Sequence, residues 1–407
     1  MRFGEPHLML DDTTRALVKA TVPTLATHGE ALTRHFYQRL FTHHPMLKEV
    51  FNQGHQHTGS QQQALAAAVL AYAQHIDEPS ALQPALLHIA HKHVSLGIRP
   101  EHYPLVGQQL LAAMRDVMGD EAATPELLAA WAAAYGQLAE VLIDQERTLY
   151  AQAAQQPGGW TGARSMRVRR KAAQGEAICS FELVPTDGGP LPLYRPGQYV
   201  SVSQWVPDWG LQQWRQYSLV GAPGGDCLQI GVKREAKAPH SGCPMGQVST
   251  ALHARVQEGD VLAVTAPAGD FVLHEDRHTP LLLLSGGVGI TPMMSMLAHL
   301  AAQRSPRELH FWHACQSPRH QAFAAEMQAH LAHLSNAHWR VAFEADAPAE
   351  PWALAGRLNV GDLPKSLWAK VDVYLCGPLG FMAAQREALL AAGLPSERLH
   401  QESFGGR

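Results

Sequence analysis

The chain has 407 residues, 46% hydrophobic and 17% charged, with a formal net charge of −4. That balance excludes a disordered or fibrous protein, and the length asks for two or three domains at ~100–200 residues each. There is no overall basic field to recommend nucleic acid, and no apolar run approaches the ~20 residues of a membrane span. The first residues reach Asp11 and Asp12 without the apolar core of a signal peptide. Five cysteines (Cys179, Cys227, Cys243, Cys315 and Cys376) contain no Cys-x-x-Cys pair. They argue against a disulfide scaffold or a cysteine zinc site, and for a reducing, cytoplasmic setting.

From about residue 11 to 153 apolar residues recur at helical spacing, which predicts helices over 63–74, 84–96, 103–118 and 125–153. Proline falls at helix starts and turns, and Gln155-Gln156-Pro157-Gly158-Gly159 reads as a linker. Beyond it the period changes to two. Short strands are expected over 164–171, 177–185, 198–203, 216–219, 228–233 and 260–265, separated by Gly-rich turns, the pattern of a small antiparallel barrel. From about 280, apolar runs at 281–285, 308–314, 339–344 and 371–376 alternate with helical stretches 292–304, 320–334 and 380–392. Such alternation implies a parallel sheet with helices on its faces. The expected order is therefore an all-α domain, an antiparallel β-barrel and an α/β domain.

With 24 histidines in the chain, position on a helix face is the useful discriminator. His93 continues the apolar stripe of Leu86, Ile89 and Ala90, whereas His88 and His91 fall on other faces. Such a residue is either a core histidine satisfied by a carbonyl or an axial haem ligand. Gln61, Leu65, Ala68 and Tyr72 share one face of another helix. Tyr37 lies on an apolar face with Leu40 and Phe41, and its hydroxyl needs a partner, ordinarily a water or a carbonyl. Glu146 sits among Leu142, Leu149 and Tyr150, so it either reaches water or has a partner.

Three motifs follow. Arg215-Gln216-Tyr217-Ser218, preceded by Arg195-Pro196-Gly197-Gln198-Tyr199, offers a guanidinium for phosphate and a ring and a hydroxyl for a flavin. Gly246-Gln247-Val248-Ser249 stands before a helix expected at 250–256, either as a pyrophosphate cradle or as an ordinary Ser N-cap. Gly286-Gly287-Val288-Gly289-Ile290-Thr291-Pro292 follows a buried strand and opens a helix, where glycines let phosphates approach the backbone.

In order, Phe36-Tyr37, Phe51-Asn52, Gln61, Leu65, Lys92-His93 and Arg99-Pro100-Glu101-His102-Tyr103 resemble the globin domain of flavohaemoglobins. The later motifs, with Cys376-Gly377-Pro378 and the closing Glu402-Ser403-Phe404-Gly405, resemble the ferredoxin-reductase-like FAD/NAD(P)H module. The resemblance spans residues 9–405. It implies a globin domain at 9–150, a linker at 151–160, an FAD barrel at 161–275 and an NAD(P)H domain at 276–407. It also implies haem b on His93, with Phe51 packing on the haem, Lys92 beside it, and Tyr37, Gln61 and Leu65 in the distal pocket. Tyr103 and Glu146 would back His93. FAD would lie on Tyr199, Arg215, Gln216, Tyr217, Ser218 and Gly246, Gln247, Val248, Ser249, under Phe404. NAD(P)H would meet Gly286 to Pro292 and Cys376, Gly377 and Pro378. Departures from the family are the Gly-Gly-Arg ending and a longer stretch at 236–245.

The implied activity is nitric oxide dioxygenation, with nitric oxide and O2 as substrates and electrons passing from NAD(P)H through FAD to haem. The alternatives are an oxygen-binding or sensing globin and an NAD(P)H-dependent ferric, flavin or peroxide reductase. A monomer is expected, with no nucleic-acid partner and no membrane span. A lipid or other apolar ligand in the distal pocket is compatible with the pattern.

Overall fold

The computed structural model describes residues 10–235 and 246–404. They fall into two compact units: the chain up to Ala154 together with Trp205–Trp214, and Gln155–Gln204 together with the chain from Arg215. The remarks on 236–245 and on the C-terminal Gly-Gly-Arg lie outside the described residues.

The first unit is helical: α1 Asp12–Ala20, α2 Val22–His43, α3 Gln53–Thr58, α4 Ser60–Gln74, α5 Gln83–Ser95, α6 His102–Met118 and α7 Pro125–Gln155. Asp11 opens α1 by accepting from the Thr14 N–H at 2.7 Å, and Pro23 lies in the first turn of α2. Leu25, Leu32, Phe36 and Leu40 repeat along the buried face of α2. Gly107 on α6 is dictated by packing, because a Cβ there would lie 2.5 Å from the Tyr135 ring on α7.

Residues 151–155 are helix rather than linker, since α7 runs on to Gln155. Ala-Gln-Ala-Ala-Gln contains only good helix formers, and the breakers begin at Pro157. By length and composition α7 alone among the described helices could cross a membrane. It instead sets Leu127, Ala130, Trp131, Ala134 and Leu142 into the protein interior.

The second unit begins with β1 Ala163–Gln174, β2 Ile178–Pro185, β3 Tyr199–Val206, β4 Leu211–Ser218, β5 Leu228–Lys233, α8 Gln247–Ala254 and β6 Val261–Thr265. The strands form a six-stranded sheet in the order β4-β3-β6-β1-β2-β5, and its registered pairs are antiparallel. Strand β4 starts at Leu211, earlier than the expected 216. Its first half, Leu-Gln-Gln-Trp, reads as polar, yet Gln213 is fully buried. That half is counted in the first unit.

The remaining elements are β7 Leu281–Gly286, α9 Ile290–Ala302, β8 Leu309–Cys315, α10 Ala324–Leu331, β9 Ala337–Phe343, β10 Ala353–Ala355, β11 Asp372–Cys376, α11 Leu379–Ala391 and β12 Leu399–Glu402. They give a parallel sheet ordered β10-β9-β8-β7-β11-β12. Central β7 is buried along its length, as a strand covered on both faces must be. One cover includes Met293, Met294 and Leu297 of α9, the other Met382 and Leu389 of α11. Edge strands β10 and β12 were not anticipated, being short, and β12 (Leu-His-Gln-Glu) is largely polar. The all-α, antiparallel and parallel parts follow in the expected order.

Candidate functional site

In the first unit the helix faces converge on His93. Its Nδ1 lies 2.7 Å from Glu146 Oε1 and 3.1 Å from the Tyr103 hydroxyl. Tyr103 donates to the same carboxylate oxygen. Glu146 is buried, so of the two fates open to it, the partnered one holds. Two further tyrosines fix the surroundings: Tyr135 donates to the Tyr103 carbonyl and Tyr150 to the Ile98 carbonyl, each at 2.7 Å. Burial raises the Tyr103 hydroxyl far above the usual phenol range, and Glu146 adds to the effect. A proton on Nδ1 donated to Glu146 leaves the Nε2 lone pair free, the state a metal ion needs.

A second group is built on α2 and α4. The buried Tyr37 ring contacts Phe36, Phe41 and Phe51 at centroid distances of 4.9, 5.8 and 5.6 Å. Burial pushes its hydroxyl well above the ordinary value, and the neighbouring Gln61 side chain pulls the other way. Tyr37, Phe51 and Leu65 belong to one apolar cluster, and Leu86, Ala90 and Tyr103 to another. Leu82, Tyr135 and Leu138 pack against both. Lys92 is exposed beside His93 on α5. One imidazole with its second nitrogen tied, apolar clusters and a phenol donor form a donor set that fits haem.

In the second unit the sites are made mainly of backbone. Tyr199 exchanges two main-chain bonds of 2.9 Å with Ala268, and Gly197 admits the Phe271 carbonyl, which would lie 2.2 Å from a Cβ. On β4, Ser218 is buried and Arg215, Gln216 and Tyr217 are half-buried. Burial lowers the Arg215 guanidinium to about 10 and raises the Tyr217 hydroxyl.

Helix α8 begins at Gln247, with Gly246 as its N-cap and no side-chain capping bond. The alternative of a Ser cap is therefore not realised. The Ser249 hydroxyl donates back to the Gly246 carbonyl at 3.1 Å and accepts from the Glu235 N–H at 3.2 Å. Gln247, Val248 and Ser249 thus supply the opening N–H groups, at the positive end of the helix.

The two nucleotide motifs meet because β11 pairs with β7, setting Cys376 opposite Ser285. The three glycines of the loop have different roles. A Cβ on Gly289 would lie 2.3 Å from the Cys376 carbonyl, and one on Gly286 3.0 Å from the Phe381 ring. Gly287, at φ +53°, faces open space. So Gly289 and Gly286 let the protein's own chain close up, and only Gly287 leaves room for a ligand. Val288, Ile290, Thr291 and Pro292 continue into α9, and Thr291 donates to the Val288 carbonyl at 2.9 Å. Gly377 and Pro378 link β11 to α11, and Phe404 is 46% exposed.

Three polar residues escaped the sequence reading: Gln56, Gln62 and Gln213. Glutamine on a helix or strand is ordinarily a solvated residue, and only the burial of Gln62 and Gln213 sets them apart.

A helical haem-type fold joined on one chain to a flavin- and nucleotide-type reductase defines an oxidoreductase of modular build. Residues 34–142 match the globin family and residues 283–387 the oxidoreductase NAD-binding domain family. The flavohemoprotein of Chromobacterium violaceum is 53% identical over 402 residues, covering 98% of each chain. That of Bordetella parapertussis is 53% identical over 403 residues, covering 98% of this chain and 99% of its own. The chain belongs to the flavohaemoprotein family. Among solved structures, the Malassezia yamatoensis flavohemoglobin with bound FAD and heme covers 97% of this chain and 100% of its own, with a TM-score of 0.87 and 29% identity. The FAD/NAD binding domain of nitric oxide dioxygenase from Vibrio cholerae covers 60% of this chain and 98% of its own, with a TM-score of 0.54 and 37% identity. The cofactor set of haem, FAD and NAD(P)H agrees with these relatives.

Proposed function

We propose that the chain is an NAD(P)H-dependent nitric oxide dioxygenase of the cytoplasm. Two molecules of nitric oxide and two of O2 would become two nitrates, with one NAD(P)H oxidised and one proton released. The observation that carries this reading is the Tyr103–Glu146–His93 hydrogen-bond group within a globin that shares its chain with a reductase. A carrier globin has no use for a resident electron supply.

Bound haem would supply the iron that takes up O2, and FAD the carrier that accepts hydride as a pair of electrons and releases them singly. Glu146 holds the Nδ1 proton of His93 and so makes the imidazole a stronger donor through Nε2. Tyr37 would offer its hydroxyl hydrogen to a ligand held in that pocket, and Phe51 and Leu65 would keep water out. In the second unit Arg215 and the opening N–H groups of α8 would receive the flavin's phosphates, with Tyr199, Tyr217 and Ser218 at the ring system. Gly287 would leave room for NAD(P)H beside Cys376, Gly377 and Pro378, and Phe404 would shield the flavin. The domain limits of 9–150, 161–275 and 276–407 go with this assignment.

The test is stoichiometry. The purified, cofactor-loaded protein given NAD(P)H, O2 and pulses of nitric oxide should form one nitrate per nitric oxide consumed. NAD(P)H oxidation unaffected by nitric oxide, with no nitrate formed, would leave an oxygen-binding globin or a general reductase as the answer.

A further inference from the structure

Helix α7 holds the end of α5 at two points. Glu146 takes the imidazole of His93 at Nδ1, 2.7 Å away. One turn further along α7, on the same face, the Tyr150 hydroxyl donates to the Ile98 carbonyl at 2.7 Å and lies 3.5 Å from the Val94 carbonyl. The first contact holds the ring, and the second holds the main chain that carries it.

That main chain is a built corner. The Leu96 and Ile98 N–H groups both donate to the His93 carbonyl at 3.0 Å, and the Gly97 N–H donates to the Val94 carbonyl at 3.1 Å. The bonds from Ile98 back to His93 and from Gly97 back to Val94 are those of a helix end closed by a left-handed residue, which Gly97 supplies at φ +72°. A Cβ on Gly97 would meet nothing within 4 Å, so the backbone conformation alone calls for glycine. His93 thus sits in the last turn of α5 with its own carbonyl committed to the corner. Ile98 is buried in the apolar cluster of Leu86, Ala90 and Tyr103, so loss of the phenol would strip its carbonyl of a partner. Burial pushes the Tyr150 hydroxyl up to about 12, with Glu146 adding to the effect and Arg99 opposing it. The phenol therefore keeps its proton and stays a donor.

We propose that Tyr150 is a positioning residue: by clamping the 94–98 corner to α7 it sets the His93 ring against Glu146, and so how strongly Nε2 donates to iron. The inference rests on the reading of His93 as the haem ligand backed by Glu146. Ring and main chain are fixed to one helix four residues apart, so the imidazole moves with Glu146 instead of relative to it. Without the clamp the corner is free to shift, the bond from Nδ1 to Oε1 lengthens, and Nε2 loses electron density.

The test uses the full chain loaded with haem and FAD, and reads the iron–histidine stretching frequency of the ferrous protein by resonance Raman. Glu146→Gln is the reference: an amide draws less on the Nδ1 proton, so its frequency should fall below the wild-type value. Tyr150→Phe keeps the ring and removes the donor. Its frequency should fall part of the way towards that of Glu146→Gln. In the double variant the frequency should equal that of Glu146→Gln alone, because Tyr150 acts through that bond. A wild-type frequency in Tyr150→Phe, with Glu146→Gln shifted, would overturn the clamp alone. It would do so even if the melting point fell, since the residue would then only stabilise the fold. Additive shifts in the double variant count against the clamp too. No shift in Glu146→Gln would overturn the reading of His93 and Glu146 as well. Should Tyr150→Phe fail to hold haem, Gly97→Ala decides. It strains the same corner without meeting another atom, so the frequency should again fall, and a wild-type value would sink the proposal.

Discussion

In the first unit the candidate site draws single side chains from helices far apart in the sequence: Tyr37 from α2, Gln61 from α4, His93 from α5, Tyr103 from α6 and Glu146 from α7. In the second, each part of the candidate site is one contiguous run at the end of a strand or the start of a helix, and under the proposed assignment main-chain groups would do most of the binding. The difference follows from geometry. A helix turns about 100° per residue, so each can give a central pocket only one or two side chains. A strand that ends in a glycine turn presents several successive N–H groups together. Disabling one residue should therefore remove that side chain's own contribution in the first unit and depend on which glycine is touched in the second.

His93→Ala tests the first half of that contrast at its largest. No other group replaces the tied imidazole, so the variant should purify without haem while keeping its flavin. The Soret and flavin bands of one spectrum check both, and a normal Soret band would reassign the ligand. In the second unit, Gly289→Val and Gly287→Val should part company. The first drives a side chain into the Cys376 carbonyl and should abolish folding of the nucleotide region, with loss of flavin reduction. The second enters open space and should leave circular dichroism unchanged while raising the KM for NAD(P)H about tenfold, roughly 1.4 kcal/mol of lost affinity. Equal behaviour of the two variants would mean that the glycines share one role.

Legibility in the sequence divides along the same line. The contiguous motifs could be read one by one, because Arg215 to Ser218 and Gly286 to Pro292 carry their chemistry side by side. What each glycine meets could not be read, since the Cys376 carbonyl against Gly289 is 87 residues away in the chain. The helical site was legible only as an ordered set. The stripe of His93 emerged from periodicity, whereas its bonds to Glu146 and Tyr103 needed the family resemblance. Gln62 and Gln213 stayed hidden because a buried glutamine has no sequence pattern of its own.

Acid should separate the units next. All the histidines with a lowered value among the described residues, His253, His274, His310, His313, His330 and His400, lie in the second unit. Burial brings fully buried His313 from 6.5 down to about 4. Above pH 6.5 neither state is protonated and the stability is complete. As the pH falls from 6.5 the unfolded chain takes up a proton that the folded one refuses until about 4, so stability drains across that window. For His313 the loss approaches about 3 kcal/mol. Flavin fluorescence released on heating should report a melting point that falls from pH 7 to 4.5, and a flat profile would contradict the neutral burial of His313. Tyr37→Phe follows in size. It removes one hydrogen bond worth about 1.5–3 kcal/mol if the acceptor carries charge. Oxygen should leave about 10- to 100-fold faster, and an unchanged off-rate would remove Tyr37 from the ligand site.

The smallest effect tests where the boundary between the two kinds of construction runs. Gln213 lies on β4, two residues before Arg215, yet it is built into the helical unit. Its Oε1 accepts from the Gln53 N–H at 3.1 Å and its Nε2 donates to the Lys48 carbonyl at 2.9 Å. Both bonds are to main chain at the corner that carries Phe51, so the side chain acts as a clamp for α3. Gln213→Ala removes the two bonds together and should cost about 1–3 kcal/mol, because buried main-chain groups lose their partners. For a unit of this size that is a fall of roughly 2–8 °C in the melting point followed by loss of the Soret band. Flavin affinity should change little, since Arg215, Tyr217 and Ser218 keep their own surroundings. If the flavin is lost first and the haem melt stays put, the clamp serves the flavin strand, and the line between the units belongs on the other side of Gln213.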